Sequence, residues 1–255
     1  MIFKKLILLS FLLLTACGGE GGGTSVTEGI QVTFQLSHQQ SIDTTGNTLE
    51  LPAGQKTFKT REGVTVTLKQ AYLVVWSARL ESDCNNVNFA RSFFNWIATA
   101  DAHTDTTPTQ LGIPNIINLL ANDADVVNLG SIYPAPATYC GVTMELLKAD
   151  EDAVGLLDFP INMLNRVLYI EGEYIPLGTT TQIAFTLDVA KAPRPKSLQL
   201  PLPIILSATT PMANVQLITH YDKWFDAVDF TLLDQDAQID WILNNITQSF
   251  IIKAK

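Results

Sequence analysis

Val64-Thr65-Val66-Thr67-Leu68-Lys69-Gln70-Ala71-Tyr72-Leu73-Val74-Val75-Trp76-Ser77-Ala78-Arg79-Leu80 is the densest β-forming run of the chain. Its first five residues alternate apolar with polar, the period of a half-buried strand. From Ala71 onward the alternation gives way to β-branched and aromatic residues, the composition of a central strand. Similar but shorter signals lie on both sides. Ile30, Val32, Phe34 and Leu36 alternate with Gln31, Thr33 and Gln35. Leu49-Glu50-Leu51 and Thr57-Phe58-Lys59 flank Pro52-Ala53-Gly54, a turn signal. Further strands are expected at Ala137–Leu147, Arg166–Tyr174, Thr180–Val189, Leu198–Leu206 and Asn214–Thr219. Many short strands separated by turn signals predict a mainly β protein, an antiparallel Ig-like β-sandwich.

Two segments depart from this pattern. Phe89 to Ala100, with Phe93, Phe94, Trp96 and Ile97, reads as a short insertion helix over the sandwich. Asp234 to Phe250 reads as a C-terminal helix. Ile239, Ile242, Leu243 and Ile246 fall at i, i+3, i+4 and i+7, and Asp234 and Asp236 suit its N-terminal dipole. Lys191-Ala192-Pro193-Arg194-Pro195-Lys196 is a stiff basic connector.

The first seventeen residues read as an address. Lys4 and Lys5 precede an apolar run, Leu6 to Leu14, too short to span a bilayer, which takes about 20 residues. The run ends in Leu14-Thr15-Ala16-Cys17, the pattern of a bacterial lipobox in which Cys17 takes the lipid. Gly18 follows, which by resemblance to bacterial lipoproteins favours the outer membrane facing the periplasm. Residues 18–27 are a glycine-rich tether. Residues 28–255 form a single domain.

Composition narrows the function. Of 255 residues, 47% are hydrophobic and 16% charged, which argues for a packed core and against a disordered chain. The net charge is −9, and cleavage before Cys17 removes two lysines and no acid, giving −11. So acidic a surface argues against nucleic acid and leaves the lipid as the membrane contact. Cys84 and Cys140 remain. In an oxidising compartment a disulfide across 55 intervening residues is the default, worth roughly 4 kcal/mol by loop entropy. A soft metal site built on the two thiolates is the alternative, and no third ligand lies at short spacing.

No Gly-x-Ser-x-Gly, His-Glu-x-x-His, P-loop or dinucleotide fingerprint is present, which argues against an enzyme. Asp222, Asp226, Asp229, Asp234, Asp236 and Asp240 crowd into nineteen residues but lack the EF-hand core. They suit a solvated acidic face with helix N-terminal charges. Asp123-Ala124-Asp125 and Asp150-Glu151-Asp152 read as turn residues. His38, His103 and His220 each stand alone in sequence, and two of them brought together from distant strands would suit copper. Trp76 and Trp241 are expected in the core. Trp96 and Trp224 are candidates for a binding surface, Trp224 through the mixed segment Asp222-Lys223-Trp224-Phe225-Asp226, although a buried corner before the final helix fits that segment too.

Three segments together carry a resemblance: Ala71 to Leu80; Val127-Asn128-Leu129-Gly130-Ser131-Ile132 followed by Pro136 to Leu146; and Trp224-Phe225-Asp226 before a closing helix and strand. This order resembles the MbnP-like (metallo-mystery pair) family of periplasmic β-sandwich proteins and related bacterial lipoproteins. Ala137-Thr138 stand where that family usually has a glycine before the tyrosine turn. The resemblance implies copper binding and a di-haem peroxidase-like cytochrome as partner. Two functions therefore follow from the sequence: a lipid-anchored, non-enzymatic binding protein with copper on His38, His103 and His220, or a cell-envelope interaction module without a small-molecule site.

Overall fold

The computed structural model describes residues 29–41, 54–82, 84 and 106–254. The signal segment with Cys17, the tether, Leu49–Leu51, the Phe89–Ala100 segment with Trp96, and His103 lie outside the described residues. The strands are β1 (Gln31–Gln39), β2 (Lys56–Lys59), β3 (Thr65–Val75), β4 (Ser77–Glu81), β5 (Gln110–Leu111), β6 (Asn115–Asn118), β7 (Val127–Ile132), β8 (Thr138–Glu145), β9 (Leu168–Ile175), β10 (Ile183–Val189), β11 (Lys196–Ile205) and β12 (Met212–His220). Helix α1 (Asp236–Ser249) runs directly into β13 (Phe250–Ala254).

The run from Val64 to Leu80 joins two sheets. β3 pairs with β2, β9 and β6 in one sheet, and β4 pairs with β8 and β5 in another. The switch falls at half-buried Trp76, whose N–H donates to the Glu145 carbonyl at 2.9 Å. The third sheet has the order β13-β12-β1-β7. Residues from all three sheets share one apolar core, from Phe34 and Leu36 in β1 to Val142 in β8 and Leu217 in β12. The protein is a mainly β sandwich with a C-terminal helix.

One pair corrects the expected antiparallel pattern. β1 and β12 run parallel in unbroken register from Gln31↔Met212 to Gln39↔His220. Alternation identifies a strand but not its direction, and no hairpin constrains two strands this far apart in sequence.

The continuous burial of Ala71 to Val75 has a simple cause. Alternation persists, but both faces are covered. Ala71, Leu73 and Val75 face the main core, while Tyr72 and Val74 join a second apolar cluster with Ile116, Ala149, Ala153, Met163 and Tyr169. The cover is an excursion, residues 146–167, between β8 and β9.

Helix α1 starts two residues later than expected. It buries Ile242, Leu243 and Ile246, with Ile239 partly buried beside them. Trp241 corrects the core expectation: it is 48% exposed and its indole N–H donates to the Asp226 carbonyl at 3.0 Å. Trp224 corrects the surface expectation. It is fully buried, and its N–H donates to Thr219 Oγ1 at 3.1 Å and Ser249 Oγ at 3.0 Å. Two hydroxyls from β12 and the end of α1 thus satisfy the indole, so this corner is sealed and offers no stacking face. Cys84 and Cys140 are disulfide-bonded, with Cα atoms 5.3 Å apart.

Candidate functional site

The inward phase of β1 runs Val32, Phe34, Leu36 and ends on His38, which is 1% exposed. Lys56 opens β2 on the inward phase of that strand, two residues before Phe58. Asp123 comes from the turn after β6, and Tyr221 from a single 3-10 turn after β12. These four side chains meet at one end of the sandwich.

Lys56 Nζ lies 3.1 Å from His38 Nδ1 and contacts Asp123 Oδ1. It also sits 4.6 Å above the Tyr221 ring. Asp123 Oδ2 accepts from the Tyr221 hydroxyl at 2.9 Å and from the Gln40 backbone N–H at 3.2 Å. Burial, and then the Lys56 ammonium, push His38 down to about 4, against the pull of Asp123. His38 is therefore neutral at neutral pH. Its Nδ1 accepts from Lys56, and a backbone hydrogen bond to Asn118 engages the ring from elsewhere. Burial lowers Lys56, with Asp123 opposing, and burial followed by the Asp123 charge raises Tyr221. Beside the cluster, buried Asp222 accepts from the Ser41 backbone N–H at 2.8 Å and from the Ser41 hydroxyl.

Chemically this is a closed clasp. An internal ammonium occupies the point where the imidazole nitrogen and the carboxylate converge, and the phenol caps the remaining oxygen. A buried charge needs such a partner set.

The expected histidine pairing takes a different course. In the parallel register His38 lies opposite Thr219, and His220 opposite Gln39. Paired residues share a face and successive residues alternate, so His38 and His220 point to opposite faces of the sheet. His220 Nδ1 bonds the Ser249 carbonyl at 3.2 Å, and its Nε2 lies 3.4 Å from Gln39 Nε2. Among the described residues, no three His, Cys, Asp or Glu side chains assemble into a group able to hold a metal ion. The crowded aspartates also have separate roles. Asp226 accepts from the Arg61 N–H at 2.8 Å, Asp229 caps a 3-10 turn through Thr231 N, and Asp240 pairs with Lys191.

The second candidate is the excursion 146–167. Loops beyond ~12–15 residues without elements of their own are uncommon in compact domains and usually functional. This one is held at both ends. The Ala149 N–H donates to the Arg166 carbonyl at 2.9 Å, and the Asn165 N–H to the Ala149 carbonyl at 2.8 Å. In its middle, the Val154 N–H donates to the Pro114 carbonyl at 2.9 Å, and the Ile116 N–H to the Val154 carbonyl at 3.0 Å. A tight turn then runs from Gly155 to Asp158, closed by the Asp158 N–H on the Gly155 carbonyl at 3.1 Å. Gly155 is required there: its φ is +87°, and a Cβ would lie 3.1 Å from the Phe159 ring. The turn presents Leu157 at 94% exposure; Val154 within the ladder is exposed, as is Ile113, the residue before Pro114.

Sequence reasoning expected His38 to hold copper with His103 and His220, read Asp123 as a turn residue, and missed Lys56 and Tyr221; the turn expected at Asp150-Glu151-Asp152 is present, with the Asp152 N–H donating to Asp150 Oδ1 at 3.1 Å. The continuous apolar run Ala71–Val75 was the signal that something covers the outer face of β3. Comparison with protein families, characterised proteins and solved structures finds no match to this chain.

Proposed function

We propose that this is a lipid-anchored protein of the bacterial envelope, carried on Cys17 and its glycine-rich tether at the outer membrane. Its sandwich acts as a non-catalytic docking module. The excursion 146–167 is the observation that carries this reading. It spends its buried residues Ala149, Ala153 and Met163 on the outer face of the sheet and leaves Val154 and Leu157 in water, with Ile113 exposed on the segment before β6. One exposed apolar residue is ordinary; two on one loop, Val154 and Leu157, with Ile113 on a neighbouring segment, suit a surface that another molecule covers. Neither His38 nor His220 favours the copper alternative. The first is tied to an internal ammonium, and the second bonds the Ser249 carbonyl on the other face.

Copper loading and dialysis of residues 18–255 with Cys17→Ser test the choice. The docking reading expects no copper retained by the folded, disulfide-bonded protein. About one equivalent, lost on His38→Ala, His103→Ala or His220→Ala, overturns it in favour of a metal-binding protein.

A further inference from the structure

The two ends of the sandwich differ in charge. One end gathers the starts of β1, β8 and β12 and the finishes of β7 and β11: Gln31 pairs with Met212, Val32 with Ile132, and Thr138 with Ile205. The stretches that build this end, Val127 to Met144 and Ser197 to Thr219, contain no charged residue, although the chain carries a net charge of −9. Neighbouring strands bring Arg79 and Glu81, which pair with each other at 3.1 Å, and exposed Lys253. Large apolar side chains stand in water here: Leu202 is 77% exposed, Met212 70%, Ile205 65% and Tyr133 47%. β11 leaves its ladder with β8 between Gln199 and Ile204, which lifts Leu202 into solvent. Pro201 and Pro203 flank it without an N–H to offer, so the stretch is a poor template for a strand of another chain. The clasp with Asp123, and Asp222 beside it, belong to the other end, where His38 lies seven residues further along β1, roughly 23 Å away at the strand rise. The chain from Cys17 enters at the uncharged end. Gly29 follows Cys17 by twelve positions, a reach of no more than about 40 Å even fully extended. An anchor on Cys17 therefore brings this end, rather than the acidic one, towards its own bilayer.

Resting on the lipid-anchor reading above, we infer that this end of the sandwich seats on the bilayer that holds Cys17. Leu202, Ile205 and Met212 enter the boundary between headgroups and acyl chains, and Tyr133 lies at headgroup level. The seat is apolar and needs no anionic lipid, so the net negative charge, which by itself left the lipid as the membrane contact, does not oppose it. It turns the clasp away from the membrane. The excursion 146–167, which follows the Glu145 end of β8 rather than the Thr138 end, is then held away from the bilayer.

The test uses the full-length chain, lipidated on Cys17, in vesicles of phosphatidylethanolamine and phosphatidylglycerol. A photo-crosslinking residue replaces exposed Ala208 in the turn between β11 and β12. The expected result is a phospholipid adduct that persists in about 1 M salt, where charge attraction is screened beyond about 3 Å. The same crosslinker at exposed Pro160 of the excursion gives none. The triple change Leu202→Gln, Ile205→Gln and Met212→Gln abolishes the adduct at Ala208 while the Cys17 lipid and the Cys84–Cys140 disulfide remain, which shows that the variant is folded and anchored. Leu202→Gln alone, at a position outside the ladder, lowers the yield at least about threefold. A lipid adduct that survives the triple change, that is lost in high salt, or that forms equally at Pro160 overturns the apolar seat. So does an adduct of twice the chain mass, which gives this end to a second copy. No lipid adduct at Ala208 on a chain whose mass shows the Cys17 lipid overturns the seat and leaves the anchor standing. A chain without lipid on Cys17 removes both.

Discussion

His38 is the residue whose chemistry reaches furthest into stability. Its ordinary value of 6.5 falls to about 4 in the folded protein, so between those values the unfolded chain takes up a proton that the folded one refuses. The unfolded state binds more protons there, and stability rises with pH. The stabilisation is complete above 6.5 and is lost as pH falls through the folded value. Carboxylates begin to contribute only at lower pH, so the step from pH 6.5 to about 5 belongs largely to His38 and is worth about 2 kcal/mol. Urea midpoints for the native protein should fall across that step. His38→Gln should be less stable at pH 7 yet show a flatter profile. Equal slopes for the two proteins would mean that some other group carries the acid sensitivity. None of this clasp was legible beforehand, because its partners come from positions 56, 123 and 221. A lone histidine says nothing about which distant ammonium will find it, and alternation revealed only that position 38 continues the inward phase of Val32, Phe34 and Leu36. Cys84 and Cys140 were legible for the opposite reason: with the anchor cysteine set aside, only one pairing existed.

At the scale of elements, close backbone approach decides what the strands tolerate. Gly172 in β9 faces the core, with Phe185 of β10 opposite it across the ladder. A Cβ on Gly172 would come to 2.5 Å from the Thr67 carbonyl oxygen of β3 and 3.0 Å from the Phe185 ring. Backbone cannot rotate out of the way as a side chain can, so the three-strand ladder must shift. Gly172→Ala should cost about 2–3 kcal/mol in chemical denaturation, the range of an overpacked core. A loss below about 0.5 kcal/mol would show that β3 has room to move. Strand positions were readable because a period of two survives in β1, β3, β9 and β10. Strand partners were not, since β1 pairs with β12 across most of the chain and in parallel. Trp224 and Trp241 show the same limit in a single element boundary. Both lie near apolar positions of the corner and helix, but only bond partners brought in by folding decide which indole is sealed and which is open. Thr219 and Ser249 close over Trp224, while Trp241 reaches back to the Asp226 carbonyl from the rim.

For the whole molecule, one loop has a buried side and an exposed side. Met163 is fully buried against Tyr72, Val74 and Tyr169, the outer face of the sheet, whereas Leu157 on the same excursion is almost wholly in water. The excursion escaped the sequence reading because its residues lack both the helical and the strand period. Its existence was implied only indirectly, by a strand apolar on both faces. If the loop is a second core layer that doubles as a docking surface, the two roles separate by mutation. Met163→Ala opens a cavity under the loop and should cost about 3 kcal/mol, with the midpoint shifted and the surface variants unaffected. Leu157→Ser removes no packed contact and should change stability by no more than about 0.5 kcal/mol in the same denaturation. A destabilisation by Leu157→Ser as large as that of Met163→Ala would mean that the leucine packs against the protein itself. The exposed tip would then be part of the fold, and the envelope partner would have to bind another surface.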